Sequence, residues 1–338
     1  MLHNRISNKE LKEKSKFSNE ARITISFYKY HHLQNPKAFR DELYLAWNQL
    51  GVMGRIYVAD EGINAQLSVP TENFEAFKSH LYSYDFLYGV RLNTAVEDDG
   101  KSFFKLAIKV RKKIVADGIE DPNFDVTKIG THLKAEDFNA LIDNPDTIVV
   151  DMRNHYESEI GHFEKAILPD VLSFREQLPK VAEMLENQKD KPVLMYCTGG
   201  IRCEKASAYM LYRGFKEVYQ LEGGIIKYAN DIKEKGLPNK FHGKNFVFDE
   251  RLGEHISTEI ISKCHQCGNP SDTHTNCANV ACNLLFIQCS ACKENYSNCC
   301  DEECQHIASL PEEDQKVLRK GTNKGRLVFN KGKKLKTR

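Results

Sequence analysis

Cys197 closes the apolar run Pro192-Val-Leu-Met-Tyr, and Thr198, Gly199, Gly200 and Ile201 separate it from Arg202, where helical character begins. This arrangement is suited to making a reactive thiolate. A short loop between a strand and a helix aims several backbone N–H groups at one atom, and both the helix N-terminus and the Arg202 guanidinium favour negative charge there. A cysteine at a strand end is, taken alone, a small core residue. Two features move the reading to a nucleophile: glycines at 199 and 200 free the backbone to curl, and the arginine has no packing reason to be there. Cys203 belongs on the first helical turn, where it is either a packing residue or a resolving thiol for Cys197.

The stretch resembles the active-site loop of the rhodanese superfamily. Thr147-Ile-Val-Val-Asp-Met-Arg-Asn-His-Tyr-Glu-Ser-Glu-Ile-Gly-His-Phe is similar to the opening rhodanese strand, and Gly214-Phe-Lys-Glu-Val-Tyr-Gln-Leu-Glu-Gly-Gly-Ile to its closing strand and turn. The resemblance covers residues 143–237 and implies an α/β domain with a parallel sheet. It also implies structural hydrogen-bonding roles for Asp151, Arg153 and His162. Rhodanese-like phosphatases place five residues between cysteine and arginine; the four here suit sulfur or a compact thiolate better than phosphate.

Nine of the eleven cysteines lie between positions 264 and 304. Cys264-His-Gln-Cys267 and Cys289-Ser-Ala-Cys292 form two knuckles of the kind that hold zinc as a tetrathiolate. Cys277, Cys282, Cys299, Cys300 and Cys304 offer a second site, with His274 or His306 assisting. The pairing can also be crossed between sites, and metal-free cysteines or an iron–sulfur cluster are the alternatives.

The elements ahead of these groups read as a strand at Ile23–Tyr30, a helix at Pro36–Leu50, strands from Gly54 and from Glu61, a helix at Thr71–Leu81, and a last strand over Phe103–Val115. That order predicts a ferredoxin-like (acylphosphatase-like) α+β domain over residues 1–125. Lys105, Lys109, Arg111 and Lys112 line the last strand, with Tyr28, Tyr30 and Tyr57 available for base stacking. The pattern fits an RNA-binding face or a lysine-protected edge strand. The turn Asp60-Glu-Gly-Ile-Asn faces a ligand or is simply a good turn.

The whole chain, 338 residues with 41% apolar and 28% charged content, is that of a globular protein of two or three domains. There is neither an apolar run long enough for a membrane span nor a secretory h-region, so a cytoplasmic location with reduced thiols is expected. A Cys-rich module is expected over 238–310. It is followed at 311–338 by a basic tail, ten lysines and arginines without an acid beyond Asp314, suited to a phosphate backbone. No flavin, haem or nucleotide motif is present in the sequence.

The three-part layout resembles the rhodanese-domain tRNA uridine hydroxylases, which install 5-hydroxyuridine at wobble position 34. The marks are Gly62-Ile-Asn-Ala, Val150-Asp-Met-Arg-Asn-His-Tyr-Glu, Met195-Tyr-Cys-Thr-Gly-Gly-Ile-Arg-Cys-Glu-Lys-Ala-Ser, Gly243-Lys-Asn-Phe-Val-Phe-Asp-Glu-Arg and Cys264-His-Gln-Cys. The resemblance implies oxygen-dependent hydroxylation of uracil C5 in tRNA, molecular oxygen as co-substrate and Cys197 as the essential residue. The alternatives are rhodanese-type sulfur transfer through a Cys197 persulfide, and RNA binding without chemistry.

Overall fold

The computed structural model describes residues 11, 20–121, 123–321 and 327–329. In the N-terminal part, β1 (Arg22–Tyr30), α1 (Pro36–Gln49), β2 (Met53–Ala59), β3 (Gly62–Pro70), α2 (Phe74–Tyr82), β4 (Asn93–Thr94) and β5 (Leu106–Val110) build a five-stranded sheet in the order β4-β1-β3-β2-β5. Asn35 starts α1: its side chain accepts from the Ala38 N–H at 3.1 Å, and Pro36 follows at the first helical position. Phe39, Leu43 and Trp47 then pack with Phe77 and Leu81 of α2 on Ile25, Phe27, Ile56 and Leu67 of the sheet. Alternation along β1 turns Ser26 and Tyr28 to the opposite face.

The split βαβ order is present, with one correction. The expected closing strand over Phe103–Val115 is not the fourth strand. That place is taken by β4, paired antiparallel with β1 through Ile25↔Thr94 and Ser26↔Asn93, while β5 adds a fifth edge parallel to β2. Two paired residues are too few for alternation to show in a sequence.

The central part comprises β6 (Thr131–Leu133), α3 (Ala135–Asp143), β7 (Ile148–Asp151), α4 (His155–Ser158), β8 (Gly161–Phe163), α5 (Phe174–Met184), β9 (Val193–Tyr196), α6 (Ile201–Tyr212), β10 (Val218–Leu221) and α7 (Gly224–Lys235). Its sheet is all parallel, in the order β6-β10-β9-β7. Every residue of β7 and β9 is buried, which is why these strands read as unbroken apolar runs. The sheet begins upstream of residue 143: β6 pairs with β10 through Tyr219↔Thr131, and Phe138 of α3 lies in the core. Asp151 and Arg153 are fully buried; the guanidinium bonds Asp151 Oδ2 and the Gly161 carbonyl, each at 2.6 Å.

Beyond residue 238 the chain first extends the central part. β11 (Phe241–Asn245) pairs with β8 and with β12 (Glu254–His255). The hairpin of β13 (His274–Asn276) and β14 (Leu285–Ile287) follows, with α8 (Ser290–Asn295), α9 (Glu302–Ser309) and α10 (Glu312–Arg319). Half of the basic tail, 322–326 and 330–338, lies outside the described residues. Among the described residues no helix is long and apolar enough to cross a membrane.

The polar face of the N-terminal sheet lies against α6. Lys205, 1% exposed, bonds both Glu61 oxygens at 2.9 Å, Asp117 Oδ2 at 2.5 Å and the Val115 carbonyl at 3.1 Å. The Asp60-Glu61-Gly62 turn is therefore an interdomain anchor. Gly62 is required in it: φ is +134°, and a Cβ would stand 2.0 Å from the Lys29 carbonyl. Lys205→Met leaves Glu61 without its cation and Asp117 with Lys113 alone. We expect it to cost about 3–5 kcal/mol in urea unfolding, whereas Lys216→Met, at an exposed pair, leaves the midpoint in place.

Candidate functional site

Cys197 sits at the C-terminal end of β9, fully buried as a residue, with its sulfur 3.2 Å from the Gly200 N–H. The loop that curls around it depends on two glycines. Gly200 has φ +95°, and a Cβ there would meet Tyr28 Oη at 3.0 Å. Gly224, at φ +66°, lets the start of α7 come so close that a Cβ would stand 2.5 Å from the Cys197 carbonyl. The N–H groups of Ile225 and Ile226 bond the carbonyls of Cys197 and Thr198 at 3.0 and 3.1 Å, so α7 buttresses the loop from behind.

Burial alone would push the Cys197 thiol up. The Cys203 thiol, the charge of Arg202 and the backbone N–H groups of Cys203 and Arg202 more than reverse this and bring it down to about 6. Cys203 moves the other way: burial, then its hydrogen bond to Cys197 and the Cys197 charge, push it well above the usual thiol range. At neutral pH the pair therefore carries one negative charge, on Cys197.

Arg202 acts at a fixed distance, because its guanidinium is held in a fork by the fully buried Glu157 at 2.7 and 2.8 Å, with Thr198 Oγ1 at 3.3 Å. Sequence reasoning gave Glu157 no role. The available signal was charge balance, since a buried arginine beside a thiolate requires a carboxylate. Thr198, Gly199, Gly200 and Ile201 form the loop as expected, with Ile201 opening α6.

The sulfur faces a cavity of about 880 Å³ enclosed by the N-terminal sheet, the loop and the 247–254 segment. This volume lies within the range of small-molecule and cofactor sites. Ser26, Tyr28, Tyr57 and Arg55 form its sheet wall, Phe248 and Arg251 the facing one. Tyr28 and Tyr30 are therefore not an open stacking platform: Tyr28 donates to Glu204 Oε1 at 2.8 Å, and Tyr30 lies under the Lys205 ammonium.

Lys105, Lys109 and Arg111 share the sheet face of Arg55 by strand alternation. Arg111 stacks over Tyr57 at 5.6 Å. Partial burial, then Arg111, Lys105 and Arg55, pull the Lys109 ammonium down, the mark of a crowded cationic strip. Lys112 stands apart from Arg55 and Tyr57, in a second depression that Arg111 shares with Asn35 and Asp60.

The cysteines of the C-terminal part form two groups, Cys264, Cys267, Cys289 and Cys292, and Cys277, Cys282, Cys300 and Cys304, with the sulfurs of each within 4.8 Å of one another. Such groups can hold a metal ion. Sulfurs placed tetrahedrally about zinc at its usual bond length stand about 3.8 Å apart, and the Cys267–Cys289 and Cys282–Cys300 separations are 3.6 and 3.8 Å. The knuckles are not crossed. Cys299 lies outside both groups, fully buried with its sulfur toward the Ser297 carbonyl at 3.8 Å, and neither His274 nor His306 joins them.

Three family profiles match the chain: the UPF0176 acylphosphatase like domain over residues 22–114, the rhodanese-like domain over 134–231 and the rhodanase C-terminal domain over 242–305. Among curated proteins, the tRNA uridine(34) hydroxylase of Photorhabdus laumondii is 58% identical over 98% of this chain and 95% of that protein. Those of Yersinia enterocolitica and Cronobacter sakazakii are 58% and 57% identical, over 99% and 98% of this chain and 96% of each relative.

The lowered Cys197 thiol gives a measurable pH dependence. Iodoacetamide labelling of the Cys197 peptide, followed by mass spectrometry, should rise with pH through a midpoint of about 6. Cys203→Ala removes a donor to the thiolate and should move that midpoint up; a midpoint in the ordinary thiol range for the native chain contradicts the cradle.

Proposed function

The chain belongs to the tRNA uridine(34) hydroxylase family, and from that premise we propose that it converts uridine 34 of tRNA to 5-hydroxyuridine, with molecular oxygen as co-substrate and Cys197 as nucleophile. The observation that carries the reading is a thiolate-forming cysteine on the wall of a cavity of about 880 Å³, which Arg55 of the cationic strip also lines.

Uracil C5 is a weak nucleophile until something adds at C6. The Cys197 thiolate adds there and leaves C5 enolate-like, able to attack oxygen. One oxygen atom ends on C5; the other, with two electrons from an external reductant and two protons, becomes water. The Gly200 amide and the fixed Arg202 charge keep the sulfur ionised before addition and make it a good leaving group afterwards.

Arg55, Lys105, Lys109 and Arg111 are assigned to the backbone flanking the reacting nucleotide, where phosphate contacts set position without reading sequence. Zinc is assigned to the two cysteine groups. It would supply cross-links that hold the C-terminal part together, a role separate from the chemistry at Cys197. A cytoplasmic setting follows from the substrate and the reduced thiols.

Nucleoside mass spectrometry of tRNA from cells lacking the protein tests the reaction. 5-Hydroxyuridine should return with the native chain and stay absent with Cys197→Ala. Failure of the native chain to restore it, with turnover of thiosulfate and cyanide instead, would favour sulfur transfer. Elemental analysis tests the metal assignment. The purified chain should carry two zinc ions and Cys264→Ser one, with protease cleavage within 264–304 appearing after chelation.

A further inference from the structure

Addition of a thiolate at C6 of uracil carries negative charge from sulfur to O4, because the C5–C6 π pair shifts between C5 and C4 and the carbonyl pair comes to rest on the oxygen. A buried oxyanion needs a hydrogen-bond donor placed in advance. Most donors on the cavity wall have other commitments. Thr24 Oγ1 donates to Asp98 Oδ1 at 3.0 Å, Tyr28 Oη to Glu204 at 2.8 Å, Ser173 Oγ to Glu176 at 2.9 Å and Thr198 Oγ1 to Glu157 at 3.5 Å. Arg202 is held by Glu157, and Arg251 by Asp249 and Glu254.

Ser26 differs from them. Its Oγ lines the cavity, is shielded from solvent and has no hydrogen-bond partner among the described residues. Strand alternation puts Ser26 and Tyr28 on one face of β1, and they meet successive residues of the Cys197 loop. A Cβ on Gly199 would stand 3.9 Å from Ser26 Oγ, and one on Gly200 would stand 3.0 Å from Tyr28 Oη. Asn93, the cross-strand partner of Ser26, is set against the start of α7 in the same way, with its Oδ1 3.2 Å from the place of a Gly223 Cβ. Ser26 thus faces the loop whose Gly200 N–H holds the sulfur, across a space that the missing Gly199 side chain leaves open.

We propose that the Ser26 hydroxyl is a catalytic hydrogen-bond donor to uracil O4, stabilising the enolate that forms when Cys197 adds at C6; this rests on the hydroxylation reading. One bond forms in that step, from sulfur to C6. The Ser26 proton stays on Oγ, so the serine binds charge and transfers nothing. When C5 attacks oxygen, the O4 charge is used and the carbonyl returns. The bond to Ser26 is therefore strongest while the enolate lasts, the condition for lowering a barrier without deepening the ground state.

Two other buried atoms on the wall lack partners, and neither suits this part. Asn154 Oδ1 and an oxygen of the Glu254 carboxylate, Oε2, are acceptors, which an oxyanion repels. A hydroxyl buried without a partner costs folding stability, and its retention on a cavity wall beside a thiolate points to a ligand that brings the acceptor. A neutral donor also leaves the ionisation of Cys197 to the loop amides, Cys203 and Arg202.

The test uses the purified full chain with tRNA carrying uridine 34, in native form and as Ser26→Ala and Ser26→Thr. Loss of the donor should lower kcat of Ser26→Ala by about 100-fold, with KM for tRNA and the Cys197 labelling midpoint native. Its urea midpoint should equal or exceed the native one, since an unpartnered buried hydroxyl has been removed. Ser26→Thr keeps the hydroxyl and should recover most of the rate. Addition is read alone with 5-fluorouridine at position 34 and no oxygen, where mass spectrometry follows the Cys197 adduct; Ser26→Ala should form it more slowly by the same factor as kcat. Native kcat in Ser26→Ala, a slow variant that forms the adduct at the native rate, a threonine variant as slow as alanine, or a lowered urea midpoint would overturn the role. So would a native chain that makes 5-hydroxyuridine but no adduct. No 5-hydroxyuridine from the native chain, or product from Cys197→Ala, would instead overturn the hydroxylation reading beneath it.

Discussion

The Lys205 ammonium fixes where the N-terminal sheet lies on the parallel-sheet domain, and the cavity exists because of that placement. An ammonium removed from water is tolerable only with compensating charge and a full set of acceptors. Glu61 and Asp117 supply both, one from the β2–β3 turn and one from the segment after β5. The sheet thus docks in a single register, and Ser26, Tyr28, Arg55 and Tyr57 become a cavity wall in place of an open platform. Four consecutive residues of α6 divide the work. Arg202 turns to Glu157, Cys203 to Cys197, Glu204 to Tyr28 and His132, and Lys205 to the interdomain acids.

The same helix resolves a conflict at the sulfur. Burial opposes a thiolate, yet a cavity that excludes water needs the sulfur inside. Amide hydrogen bonds do not weaken with burial as hydration does, and they are backed here by α7 through the carbonyls of Cys197 and Thr198. Arg202 adds charge without mobility, because Glu157 removes its freedom to swing toward the sulfur. The result is a nucleophile whose ionisation is set by rigid parts, the arrangement preorganisation requires.

What could be read from the sequence divides by distance along the chain. The Cys197 loop was legible because Gly200, Arg202 and Cys203, which act on the sulfur directly, lie within a few residues of it, and the first cysteine group because both knuckles show in the spacing. The parallel strands were legible as buried apolar runs. The fourth strand was not, with two residues to show for itself. The choice between Cys299 and Cys300 was not either, since adjacent cysteines differ only in which way the chain turns before α9. Partners far apart in sequence were beyond reach: Tyr28 meets Glu204 across 176 positions and Lys205 meets Glu61 across 144. The last strand was read as an RNA-binding face or a lysine-protected edge, and it is an edge; of the tyrosines offered beside it for base stacking, Tyr28 and Tyr30 are engaged across the domain boundary by Glu204 and Lys205.

A cavity closed on three sides constrains how a wobble nucleotide can reach the sulfur. C5 and C6 of a stacked base are shielded by its neighbours, so attack at C6 by a cysteine inside the fold requires the nucleotide to leave the anticodon stack and enter the cavity, as enzymes acting on bases generally require. That extrusion costs a few kcal/mol, which contacts to the flanking phosphates would offset on the proposed assignment of the strip along β5 and Arg55. Arg111 of the strip stacks over Tyr57, which lines the cavity together with Cys197. On that assignment positive charge holds the backbone while the sulfur's own ionisation stays under the control of the loop amides and Arg202. The charge proposed to bind and the charge that activates are then different groups, so tRNA binding through the strip would not set the reactivity of Cys197.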